Sequence, residues 1–98
     1  MTRFDIVSKL LELFPTMKIQ EVDILVKEIF CYLSDQLSKG NRVEIRGFGC
    51  YSVKTREPGL IRNASKGISM SVGKRNVIYF RPGRTLKERV NSNISLPN

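Results

Sequence analysis

The apolar residues change their spacing at Gly40, and that switch constrains the fold more than any other feature. Before Gly40 they recur every three or four residues; after it, as far as Phe80, the strand-forming runs alternate in twos. The first spacing belongs to a helix buried on one side, the second to a half-buried strand. Helices followed by a run of strands predict an α+β fold: an N-terminal helical hairpin, then an antiparallel sheet.

Residues 3–14 read as an amphipathic helix, with Ile6, Val7, Leu10, Leu11 and Phe14 on one stripe. Thr2 suits its N-cap, and Asp5 three residues on makes a capping box with a short acid. Pro15 ends it. A longer helix is predicted from Lys18 to Ser38 on Ile19, Val22, Val26, Ile29, Leu33 and Leu37, with Leu25 and Phe30 widening the stripe. Gly40 suits its C-terminal cap. Such a hairpin leaves one side of the long helix bare. Either the strands that follow cover that side, or a second subunit covers it too. A chain of 98 residues buries only about 60–70% of its unfolded surface, which favours the second.

Beyond Gly40, Arg42 to Arg46 alternates polar and apolar, which puts Arg42, Glu44 and Arg46 on one face of a first strand. Gly47-Phe48-Gly49 marks a tight turn or a close backbone approach. Cys50 to Thr55 reads as a second strand with Tyr51 and Val53 on one face, and Asn76 to Phe80 as a third. Pro82-Gly83 breaks it. Thr85 to Asn91 is predicted to be a short closing helix with Leu86 and Val90 inward. Phe48, Tyr51 and Phe80 read as core. One domain over residues 1–91 is expected, with 92–98 a frayed tail.

Residues 56–75 fit none of these elements. They hold Arg56, Arg62, Lys66, Lys74 and Arg75 against one acid, Glu57, with Pro58, Gly59, Gly67 and Gly73. Two extended stretches around a turn at 63–67 make a protruding basic β-ribbon. The other reading is a structureless surface loop, long for a compact domain. Both reach phosphates; only the ribbon lies in a groove with fixed geometry.

Charge and chemistry narrow the function. Residues 1–41 carry five basic and six acidic residues, net −1; residues 42–98 carry twelve and three, net +9. A near-neutral scaffold bearing a basic surface points to nucleic acid or an anionic membrane, the other reading being a generally basic soluble surface. No apolar run approaches the ~18 residues of a membrane span. The opening MTRFD has no apolar stretch of a signal peptide. With no histidine, the commonest general base and zinc ligand is missing. Cys31 and Cys50 stand apart in apolar stretches and read as buried, reduced thiols. There is no phosphate-binding loop, nucleophile elbow or carboxylate cluster. The expectation is therefore a protein that is not an enzyme, with no metal and no cofactor.

The run Arg42-Val-Glu-Ile-Arg-Gly-Phe-Gly-Cys-Tyr-Ser-Val-Lys54 resembles the central signature of the bacterial HU/integration host factor family. Arg62-Asn63 with Gly67, and Phe80-Arg-Pro-Gly-Arg-Thr-Leu-Lys-Glu-Arg-Val-Asn91, match it too. The opening MTRFDIVSKL and the Arg42–Gly49 run most resemble the beta-type branch of integration host factor. The resemblance implies an intertwined dimer whose partner is an identical chain or an alpha-type paralogue. It implies that the arms grip double-stranded DNA in the minor groove and bend it. The setting it implies is the cytoplasmic nucleoid, with no membrane, in recombination, replication and transcription. The alternatives are a homodimeric, non-specific HU-like packager and, further off, an RNA-binding module. Exposed aromatics interleaved with basic residues, which would favour RNA, are few.

On this sequence the resemblance puts Arg62, Asn63 and Lys66 at the arm tip. Arg42, Glu44 and Arg46 face DNA, where Arg46 is the cation for Glu44 to orient. Lys54, Arg56, Lys74, Arg75, Arg81, Arg84 and Lys87 meet phosphates. Two departures stand out. Ala64 occupies the position where the family's tip carries a wedging proline, so this arm either wedges weakly or only tracks the groove. Leu60-Ile61 is more apolar than the family's charged pattern.

Overall fold

Local signals place the ends of the first two elements. Thr2 is the N-cap of α1 (Arg3–Leu13), and its N–H donates to Asp5 Oδ2 at 2.6 Å, the acid's half of the expected capping box. Phe14 caps the other end, one residue short of Pro15. α2 (Ile19–Ser38) starts after Lys18. It closes in a Schellman motif: Gly40, at φ +82°, donates its N–H to Leu37 O (2.9 Å), and the Asn41 N–H reaches Gln36 O (3.0 Å). These are the helices expected, to within a residue.

The computed structural model describes residues 1–63 and 68–95. After the hairpin come β1 (Val43–Ile45), β2 (Gly49–Arg56), β3 (Gly59–Asn63), β4 (Ile68–Val72), β5 (Arg75–Pro82) and α3 (Arg84–Asn93). β1, β2 and β5 form an antiparallel sheet in the order β1-β2-β5, while β3 and β4 pair separately as a two-stranded ribbon. The segment 56–75 is thus a ribbon and not a structureless loop. Its turn falls outside the described residues. Sheet and ribbon are interrupted on both strands at one level. The last sheet pair is Arg56 with Arg75 and the first ribbon pair is Gly59 with Val72. Between them lie Glu57-Pro58 and Gly73-Lys74, and Pro58 has no N–H to give a ladder.

Three expectations are corrected here. β1 ends at Ile45, so Arg46 is not on its face. Phe48 donates its N–H to Ile45 O at 2.9 Å, and Gly47 takes φ +84°, the third position of a type II turn. That turn takes Arg46 out of the strand. Cys31 is exposed, while Cys50 is half-buried; both are free thiols. Val90 of α3 is 47% exposed and not inward, because α3 packs on no element of its own chain that would cover it.

The core of the single chain is thin. Val7, Val22 and Val26 are the buried hydrophobic side chains among the described residues, with Ile6, Leu10, Leu11 and Met17 packed around them. An ion pair, Arg3 to Asp23 at 2.8 Å, ties α1 to α2. Much of the rest of α2 is open: Ile24, Leu25, Ile29, Phe30 and Tyr32 are all exposed. A compact monomer of this mass exposes about 5,700 Å²; this chain exposes 8584 Å². Its radius of gyration is 18.3 Å, against about 13 Å for a compact chain of similar length.

Candidate nucleic-acid interface

Register sorts the three-stranded sheet into two faces. Directly paired residues share a face and alternate along each strand. One face carries Val43, Tyr51, Val53, Ile78 and Phe80, with Ile45 and Pro82. Tyr51 and Phe80 rings lie 4.6 Å apart, and Phe48 and Phe80 5.5 Å apart, all tilted. Against the expectation that they are core, these aromatics pack on one another without being enclosed: Phe48 is exposed, as is Ile78, and Tyr51 and Phe80 are half-buried. The other face carries Glu44 and Arg81 on either side of Cys50, then Ser52 opposite Tyr79, Lys54 opposite Val77, and Arg56 opposite Arg75. The sheet is apolar beneath and cationic above.

At one end of the cationic face is an open cleft of about 660 Å³, bounded by the β1–β2 turn, the end of β5 and the start of α3. It gathers Arg42, Arg46, Arg81, Arg84 and Lys87 with Glu44 and Glu88. Both carboxylates are already engaged: Arg42 Nη2 with Glu44 Oε2 at 3.1 Å, and Arg84 Nε with Glu88 Oε1 at 2.9 Å. Arg42 also donates from Nε to Cys50 Sγ at 2.8 Å. The sulfur, and then Glu44, hold the Arg42 guanidinium above its ordinary pKa. The expected pairing of Glu44 with Arg46 is replaced by Glu44 with Arg42. The turn that ends β1 carries Arg46 away and leaves it without an anionic partner.

Two glycines hold the cleft's walls together. A Cβ on Gly49 would sit 2.6 Å from the Phe80 ring and 2.7 Å from Arg81 O. Only glycine lets β2 and the Phe80 ring come this close. Gly83 donates its N–H to Phe48 O at 2.8 Å, which fixes the start of α3 against the turn. As N-cap it offers no side-chain acceptor, so the first N–H groups of α3 have no side-chain partner.

The remaining expected contacts line the path from the cleft to the ribbon. Lys54, Arg56 and Arg75 lie on the cationic face, and Lys74 at the interruption. Arg56 faces Arg75 directly, a like-charge pair that destabilises a sheet unless an anion lies over it. On the ribbon, Arg62 registers with Ser69 and Asn63 with Ile68. Ala64 and Lys66 lie outside the described residues. The sequence reading missed Ser52 and Tyr79. Counting back in twos from Lys54 and Arg81 would have placed them on the same face.

Ion pairing divides the chain as the net charge does. On the helical half Arg3, Lys9, Lys27 and Lys39 each have a carboxylate within 4 Å. On the strand half, Arg42 and Arg84 do. Among the described residues there, Arg46, Lys54, Arg56, Lys74, Arg75, Arg81, Lys87 and Arg89 do not. Their charge is available to a polyanion.

A family model described as "Bacterial DNA-binding protein" matches residues 1–91. The integration host factor subunit beta of Herminiimonas arsenicoxydans is 36% identical over 97 residues, covering 99% of this chain and 96% of that one. The subunit beta of Haemophilus influenzae (strain PittEE) is 40% identical over 90 residues, covering 92% and 96%. Among solved structures, the Anabaena HU–DNA cocrystal superposes with TM-score 0.76 at 21% identity, covering 93% of this chain and 98% of that one. An HU variant from Thermotoga maritima gives 0.67 at 24% identity, covering 93% and 100%. At those identities the structural likeness is one of fold.

Proposed function

This chain belongs to the bacterial DNA-binding protein family that includes HU and integration host factor, and from that premise we propose that it is an architectural protein of double-stranded DNA, acting as a dimer in the manner of integration host factor subunit beta. The observation that carries this reading is the two-sided sheet. Its apolar face keeps Ile45, Phe48 and Ile78 exposed, and its cationic face carries, from the cleft to the ribbon, Arg81, Lys54, Arg56 and Arg75 without carboxylate partners among the described residues. Leu25, Ile29 and Phe30 of α2 are exposed as well. A second family subunit, identical or paralogous, covers both.

In the dimer, the two cationic faces form one saddle that receives the DNA backbone, and a ribbon on each side follows the minor groove. Arg42, Arg46, Arg81, Arg84 and Lys87 seat phosphates at the cleft. Lys54, Arg56, Lys74 and Arg75 carry the contact outward, and Arg62, Asn63, Ala64 and Lys66 meet the groove at the tip. Glu44 serves by orienting Arg42. Residues 1–91 make up the DNA-binding domain and 92–98 a tail. The work is binding and bending, with no catalysis and no cofactor. The place is the nucleoid, in the cytoplasm. No helix among the described residues is long and apolar enough to cross a membrane.

A salt titration of duplex affinity tests this. A dimer that neutralises on the order of 8 phosphates gives a slope of log K against log salt of roughly −7. Replacing Arg62 and Lys66 together by alanine flattens the slope and weakens binding. A slope near zero for the wild-type protein, or equal affinity for single-stranded RNA at the same salt, contradicts the reading.

A further inference from the structure

The middle of the cationic face holds one aromatic ring. Tyr79 lies on β5 between Val77 and Arg81, opposite Ser52, and is 40% exposed. Lys54, the diagonal neighbour on β2, lays its ammonium 3.8 Å from the centre of the Tyr79 ring. A diagonal pair is within reach of a long side chain and an aromatic one. The attraction of a cation for the ring face is worth about twofold to fivefold in population at an exposed site.

We propose that Tyr79 is a positioning residue for DNA binding: its ring holds the Lys54 ammonium over the middle of the saddle, where the ammonium meets a backbone phosphate. The inference rests on the DNA-binding reading above. Among the described residues Lys54 has no carboxylate within 4 Å, and an unheld lysine loses much rotamer freedom on meeting a phosphate. Held on the ring, it has lost that freedom before the DNA arrives. The ring leaves the ammonium its charge, which a carboxylate partner would neutralise. This sets Lys54 apart from Arg42 and Arg84, which are held by Glu44 and Glu88.

A double-mutant cycle on the assembled dimer tests the assignment, read as duplex affinity at one fixed salt concentration. Tyr79→Leu weakens binding about twofold to fivefold, while Tyr79→Phe, which keeps the ring, stays close to wild type. Lys54→Met weakens binding and lowers the magnitude of the salt slope by about 0.9 for each substituted subunit. In the Lys54→Met background, Tyr79→Leu has no further effect. A urea midpoint measured on each variant separates a loss of contact from a loss of fold. An equal loss from Tyr79→Leu in both backgrounds overturns the proposal, as does a loss from Tyr79→Phe as large as from Tyr79→Leu. Lys54→Met binding with wild-type affinity and slope also overturns it, while leaving the DNA-binding reading intact. Absence of duplex binding by the wild-type dimer overturns both.

Discussion

Single atoms decide how the cleft is built. A Cβ at Gly49 would enter both the Phe80 ring and the Arg81 carbonyl. Gly49→Ala is therefore expected to destabilise the dimer by about 1–3 kcal/mol in urea unfolding, the usual cost of overpacking. Arg56 and Arg75 work the other way. They repel each other across the sheet, so Arg56→Gln is expected to raise the unfolding free energy by a few tenths of a kcal/mol. It should also weaken duplex binding and take about 0.9 from the salt slope for each substituted subunit. A variant that is both less stable and equally tight would show that this pair serves folding. The two glycines flanking Phe48 were legible in the sequence as turn or close approach, and both meanings hold: Gly47 makes the turn and Gly49 the approach. The partner of Glu44 was not legible. It depends on where β1 stops, and a positive φ at Gly47 moves Arg46 off the strand.

At the scale of elements, the chain's local signals set the helices and its contacts set the strands. The ends of α1 and α2 follow from Thr2, Asp5, Pro15 and Gly40, which act within a few residues of their own position. Gly40 sits at φ +82°, so Gly40→Ala is expected to cost about 1–2 kcal/mol, as a side chain in the left-handed region does. Denaturant unfolding checks it; a change within error would show that the Schellman motif is not needed. The limits of β1 and α3 were read less well because they depend on β2 and Phe48, which are distant in sequence. The ribbon was legible from its glycines and its lack of large core residues. The level at which it separates from the sheet was not, since that requires Pro58 and Gly73 to fall opposite each other.

For the whole molecule, the sequence showed that the long helix has more apolar surface than one chain can bury. It could not show which residues stay bare, because helix rotation is set by packing. Val22 and Val26 are buried against α1, while Leu25, Ile29, Phe30 and Cys31 are exposed. Phe30→Glu is therefore expected to dissociate and unfold the protein together. Its melting temperature should fall well below wild type in calorimetry, and the wild-type value should rise with protein concentration. A concentration-independent melt would argue for a self-sufficient monomer. In the dimer proposed above, two cationic faces join into one saddle with a ribbon on each side of the duplex. Under that proposal the dimer bends the duplex. The most direct test is end-to-end energy transfer on a doubly labelled duplex about one arm-to-arm wrap long, titrated with this chain, alone and with a family partner subunit. The account predicts a rise in transfer that saturates at one dimer per duplex. Saturated binding with no change in transfer, in both titrations, would contradict it.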